Sequence, residues 1–265
     1  MPAAYAHYRF GTDVLTLLPH SLRETIAPYE GLYCIGLHGP DLLFYCHALH
    51  DNPVIRLGHA MHSQPGRVFF QNALPALSPL QDAAPSLAYL CGFLCHFALD
   101  SVCHPYIEQA ARETGLSHSE LEAELDRFCM KKDGRDPMTY QPIHHISANG
   151  FYAETIARFF PELTRDQILS CIRSMRRNCA LLSPPGRVLH TLLPAAMKAA
   201  GISASISDMV IRPRPNPACL PVCEELDRRY SQAEADAVRL IRNFRSVRAG
   251  TAPWDPLFDH TFGET

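Results

Sequence analysis

The sequence lacks most of the short signatures by which catalytic classes are recognised. It has no GxSxG elbow, no GxxxxGK[ST] loop and no GxGxxG after a strand-like run, so serine hydrolases, P-loop enzymes and dinucleotide-binding oxidoreductases find no support. None of the ten cysteines forms a CxxC, which removes the thiolate zinc knuckle and the dithiol redox motif. Cys91 with Cys95 and Cys219 with Cys223 are each four apart, the spacing of one helix face. The start, MPAAYAHYRFGTDVLTLLP, shows no early basic residue followed by an apolar core, so the pattern of a secretory leader is missing and free thiols in the cytoplasm are expected. The longest apolar-looking run, SLAYLCGFLCHFAL at 86–99, falls short of the roughly 20 residues that span a bilayer, and no transmembrane segment is expected.

Excess charge of one sign is missing too. Lys and Arg number 24 against 27 Asp and Glu, a formal charge of −3, so there is no electrostatic footprint for a nucleic-acid backbone and no stable nucleic-acid partner is expected. Arg173, Arg176 and Arg177 are the nearest thing to a basic patch and read as a solvated helix face or a partner-facing edge.

Strict apolar and polar alternation is absent, whereas apolar residues at helical spacing recur behind caps such as Ser21 with Glu24, Ser117 with Glu120 and Thr164 with Gln167. The chain reads as all-α, a single compact multi-helix domain. Helices are expected near 12–18, 21–30, 66–78, 84–104, 117–131, 147–159, 164–180, 186–199 and 219–246, with breaks at HGPD (38–41), KKDGRDP (131–137), SPPG (183–186) and RPRPNPA (212–218). The last break divides a body, 1–211, from a Pro-rich connection, a long helix and a tail, 212–265. Trp254, Leu257, Phe258 and Phe262 of that tail are expected to dock on the same domain.

Histidine is what the sequence has in quantity, with 14 residues. His96 and Asp100 stand four apart in GFLCHFALDSVCHPYI (92–107), hence one above the other on a helix. His104 continues that face, and Pro105 is expected to end or kink the helix there. Six His-x3-acid pairs occur, at 20/24, 47/51, 96/100, 104/108, 118/122 and 260/264. Composition alone predicts roughly one or two, and an isolated pair is usually a surface contact. His96, Asp100, His104, His118 and Glu122, however, fall on two consecutive predicted helices that a hairpin brings together. Imidazole and carboxylate without thiolate suit a catalytic zinc site, which keeps a position for water. Asp41 after a Gly-Pro turn and His59 after Gly58 supply the same chemistry.

Asp41, His59, His96, Asp100, His104, His118 and Glu122, in this order and spacing, resemble the bacterial zinc-dependent phospholipase C family over about residues 1–160. That family is similar in turn to the fungal single-strand-specific zinc nucleases. Both are all-α with three zinc ions in one cleft. The resemblance implies one zinc on Asp41, His59, His96 and Asp100 and a second on His104, His118 and Glu122. For the third, the family uses a histidine near the start, matched here by His7, together with the aspartate matching Asp100 and the amine and carbonyl of an N-terminal tryptophan. This sequence has its only tryptophan at 254, and loss of Met1 would instead offer the Pro2 amine, five residues before His7. Two or three Zn2+ ions are therefore expected. His38 and His62 are further histidines close enough in sequence to ligate or to support a ligand.

The activity implied is phosphodiester hydrolysis of the phospholipase C type, with in-line attack by zinc-bound hydroxide and Asp41 orienting or deprotonating the water. A phospholipid or another phosphoester is the expected substrate. Two alternatives stand beside it: a metal-dependent nuclease or phosphatase on soluble phosphoesters, and a non-catalytic helical binding protein tied together by zinc.

Overall fold

The structure is a computed structural model, and it describes residues 3–48, 50–77 and 83–263. Among these residues there are α-helices, short 3-10 turns and no strand, as the sequence reading expects. The helices are α1 (Ala4–Leu17), α2 (His20–Ile26), α3 (Glu30–Gly36), α4 (Pro53–His62), α5 (Gly66–Ala73), α6 (Ala84–Thr114), α7 (His118–Lys132), α8 (Gly150–Ala157), α9 (Arg165–Leu182), α10 (Arg187–Ala199), α11 (Ala204–Ser207) and α12 (Leu220–Arg248).

Helix α6 is the axis of the fold, with α3 and α12 packed along it. It is long and apolar enough to cross a membrane by length and composition, yet 94% of its apolar window is buried inside the protein. It also runs ten residues past the predicted end and through Pro105 without a break. The proline costs one backbone hydrogen bond. Packing against α12 and α7 supports the helix where that bond is missing.

Helix α3 crosses α6 at unusually close range, because a Cβ on Gly36 or Gly92 would collide with the backbone of the facing helix. That contact delivers the next segment, a 3-10 turn over Gly39–Tyr45, onto the histidine face of α6. Gly39 has φ +47°, and a Cβ there would strike the His96 ring, so only glycine fits the approach.

The tail folds back over the same region. Phe258 and Phe262 are fully buried, and Phe262 stacks edge-on to Phe97 at 4.9 Å and lies 6.0 Å from the His96 ring. Trp254 and Leu257 pack against this core from its edge.

Several local expectations are corrected. Helix α2 starts after Pro19, so Ser21 lies inside it rather than capping it. The helix from 66 ends at Ala73 and passes into a 3-10 turn over Leu74–Leu77, and residue 78 lies outside the described residues. Helices α3 and α4 were not anticipated, although α4 has a legible start: Asn52 accepts the N–H groups of Val54 at 3.0 Å and Ile55 at 3.2 Å ahead of Pro53. The Thr164 and Gln167 capping box forms in full, and Ser117 accepts the Glu120 N–H at 3.1 Å.

Candidate metal centre

His96, Asp100 and His104 follow one another up a single face of α6. Asp100, 1% exposed, stands among three imidazoles: His96 Nε2 is 3.0 Å from its Oδ2, and His7 Nε2 and His104 Nε2 lie 3.3 and 3.4 Å from its Oδ1. Across the hairpin, Glu122 of α7 faces His104 Nε2 at 3.5 Å and His118 Nε2 at 3.4 Å. Three groups of side chains each bring their ligand atoms within 4.8 Å of one another: His7, His96 and Asp100; Asp41, His62 and His96; and His104, His118 and Glu122.

The second group departs from the reading of the sequence. Asp41 meets His62, whose Nε2 is 2.9 Å from Asp41 Oδ1, while His59 is exposed on the outer side of α4 with its ring 4.6 Å from Phe44. His59 and His62 differ by three positions, about 60° around the helix, and only His62 turns inward. Gly58 is the shared device. Its carbonyl accepts the His62 Nδ1–H at 2.8 Å, which aims Nε2 at Asp41.

His118 is held in the same manner. Its Nδ1–H reaches Glu108 Oε1 at 2.6 Å, so Glu108 serves the histidine ten residues later rather than His104, its partner by spacing. Histidines that ligate metals commonly carry such a hydrogen bond on the second ring nitrogen, which fixes tautomer and orientation. Of the other spaced pairs, His20 and Glu24 meet at 3.2 Å in solvent, Asp51 is taken by Arg56, and His260 with Glu264 lies partly outside the described residues.

His7 reaches Asp100 from α1, whose first turn has no local cap. Asp126 of α7 supplies one from a distance. Its two oxygens accept the backbone N–H groups of Tyr5 at 3.1 Å and Ala6 at 2.8 Å. Two turns further on, Asp133 takes the Tyr5 hydroxyl at 2.8 Å and the Arg9 guanidinium at 2.9 Å. Met1 and Pro2, the termini invoked for a third ion, lie outside the described residues.

Burial opposes every charge in this cluster, yet the carboxylates stay ionised. Asp100 is held well below its ordinary range by His104, His96 and His7, and Asp41 is lowered by His96 and His62. Glu122 is likewise held down, by His118 and His104 among others. The matching imidazoles rise, His62 to about 9 through Asp41 and His118 to about 9 through Glu122, each against the cost of burial.

A metal fits these residues on structural grounds. His96 Nε2 and Asp100 Oδ2 approach to 3.0 Å, yet neither has a hydrogen-bond partner, and both are fully buried. Leaving two buried polar atoms unmatched costs about 1–3 kcal/mol each. Atoms that face a common point rather than each other are what ligation of one cation requires. Nitrogen and oxygen donors without sulfur suit zinc. The cluster is closed at the end of His96 and Asp41 and opens toward His104 and His118, whose side chains are 15% and 30% exposed.

His38 joins none of the three groups. Its Nε2 lies 3.0 Å from that of His145, a residue the sequence reading did not single out, and Tyr8 stacks on His145 at 4.0 Å. Burial keeps both imidazoles neutral, His145 down to about 3 with a contribution from His144.

Searches of curated proteins and of solved structures return no significant match. The family profile described as zinc-dependent phospholipase C matches residues 6–173. That span holds every member of the three groups and their supports at 58, 108 and 126. The chain belongs to the zinc-dependent phospholipase C family.

Proposed function

We propose that the protein hydrolyses phosphodiesters in the manner of a phospholipase C, releasing diacylglycerol and a phosphorylated headgroup. One observation carries this reading: Asp100 sits among three imidazoles with its Oδ2 and the neighbouring His96 Nε2 unpartnered inside an apolar wall. Zinc bound there would lower the pKa of a coordinated water toward neutrality and neutralise charge on the phosphoryl group.

The chain's own groups then have assigned tasks. His7, His62, His96, His104, His118, Asp41, Asp100 and Glu122 would hold the metal. Asp41 would also orient the attacking water or take its proton, from a position where His62 Nε2 lies 2.9 Å from its Oδ1 and His96 Nε2 4.0 Å from its Oδ2. Gly58 and Glu108 orient His62 and His118. Phe97 and Phe262 exclude water from the closed end, which strengthens every charge interaction in it.

Metal analysis of the purified chain is expected to find at least two zinc ions, and in a panel of phospholipid diesters, nucleotide diesters and phosphomonoesters turnover of a phospholipid diester is expected. One zinc or none would overturn the metal reading. Turnover confined to nucleotides or monoesters would move the activity to soluble phosphoesters. Two zinc ions with no turnover of any member would leave a zinc-tied binding protein.

A further inference from the structure

The corner between α9 and α10 carries the most unusual surface outside the metal centre. From residue 167 to residue 207 there is no Asp or Glu, but there are five cations, Arg173, Arg176, Arg177, Arg187 and Lys198, all exposed, in a chain of net charge −3. Large exposed apolar side chains crowd into the same stretch: Leu181 at 64%, Val188 at 70%, Leu189 at 47% and Leu192 at 57%. These are half of the eight such side chains among the described residues.

Helix α10 is apolar on two sides. His190, Pro194 and Met197 face inward and are buried, and the His190 Nδ1–H donates to the Ile211 carbonyl at 2.8 Å. Val188, Leu192, Ala195 and Ala199 form a second stripe at i, i+4, i+7 and i+11, and this one is exposed. The inner stripe accounts for packing. The outer one contributes nothing to the fold, and a contiguous apolar face in water marks a surface with a partner.

The corner is also tied to the segment over 138–141 and borders α7. Gly186, at φ +87°, follows Pro184 and Pro185 and donates its N–H to the Met138 carbonyl at 2.8 Å, while Gln141 Nε2 donates to the Ser183 carbonyl at 2.7 Å. Cys179, Leu182 and Ser183 line a cleft together with Ala4, Ala123 and Asp126, beside the α7 turn that holds Glu122. The family match ends at residue 173, so the exposed stripe belongs to this chain and not to the matched span.

We propose that the α9–α10 corner is a membrane-docking surface, on which Val188, Leu189 and Leu192 enter the interface of an anionic phospholipid bilayer while the five cations meet its headgroups. Charge complementarity selects this occupant. A second copy of the chain would set one cluster of cations against another across a symmetric contact. A bilayer with negative headgroups takes both the apolar stripe and the cations. The inference rests on the phospholipase reading only for its purpose, which is to bring the cleft to phospholipid, and docking itself is measured without turnover.

The test is sedimentation of the zinc-loaded chain with vesicles of phosphatidylcholine alone and of equimolar phosphatidylcholine and phosphatidylglycerol, in low and high salt. Binding is expected to the mixed vesicles only, to weaken with salt, and to fall by roughly tenfold or more in Val188→Glu/Leu192→Glu and in Arg176→Glu/Arg177→Glu. Both double variants should keep the wild-type Tm and the wild-type rate on a short-chain soluble phosphodiester. Absence of binding to mixed vesicles, equal binding by the variants, or a concentration-dependent dimer that Val188→Glu dissolves would overturn the proposal. Vesicle binding without hydrolysis of the soluble substrate would remove the activity and leave the surface standing.

Discussion

The α6–α7 hairpin and the α9–α10 corner invert the usual distribution of polarity in opposite directions. The hairpin buries His96 at 0% and Asp100 at 1%, in the driest part of the protein, while the corner leaves Val188 at 70% and Leu181 at 64% in water. Each inversion needs something outside the fold to make it favourable. The two differ in how the chain supports them. Around the unpartnered His96 Nε2 and Asp100 Oδ2 the hairpin region is braced by hydrogen bonds, His62 by Gly58, His118 by Glu108 and the first turn of α1 by Asp126. The outer stripe of α10 is held by nothing. A compact cation demands fixed atoms, whereas a lipid surface accepts any apolar face of the right extent.

The comparison can be broken by substitution, starting with the largest expected effect. Asp100→Asn places a neutral amide among three imidazoles, and a loss of about 3–5 kcal/mol together with most of the zinc is expected, checked by thermal denaturation and metal analysis. His62→Ala should weaken zinc binding by at least roughly 10–100-fold in a chelator competition, while His59→Ala leaves it unchanged. Equal effects of the two would refute the placement of α4. Glu108→Ala removes only the support of His118 and should cost roughly 10–100-fold in affinity at that ion, with the fold intact by circular dichroism.

Asp126→Asn sharpens the comparison at the edge of the hairpin. It should destabilise the chain by about 1–3 kcal/mol and speed hydrogen exchange at the Tyr5 and Ala6 amides. Zinc held by His104, His118 and Glu122 should survive in that variant while occupancy next to His7 falls, as counted by metal analysis. The smallest effects belong to exposed positions. His20→Ala and Val188→Ser should each stay within about 0.5 kcal/mol of the parent by denaturant titration, because the His20 contact with Glu24 lies in solvent and Val188 is 70% exposed.

Much of the site was legible before any coordinate. His96 with Asp100 and His118 with Glu122 are four apart within single helices, so the spacing alone stacks each pair on one face. The resemblance places His59 rather than His62 on the metal, with Gly58 directly before it. The glycine does act, but through its carbonyl on His62, four residues further on. The start of α1 at Ala4, ahead of the expected 12, has a related cause: helix starts are legible from a cap in the adjacent sequence, and the cap here is residue 126. Pro105 misled in the other direction, since a local breaker gave way to packing of α6 against α12 and α7.

By itself, then, the sequence determined the helical class and the two His–acid pairs, 96/100 and 118/122, whose geometry is set by 3.6 residues per turn. Tertiary structure alone decided that His62 faces Asp41, that Glu108 supports His118, that Asp126 holds the first turn beside His7, and that Gly39 lets the Asp41 segment close on His96. Each of these joins separate segments of the chain, where contact depends on how helices cross rather than on residue spacing. The exposed stripe of α10 belongs with them, because an apolar residue at helical spacing reads the same whether its face meets the core or water.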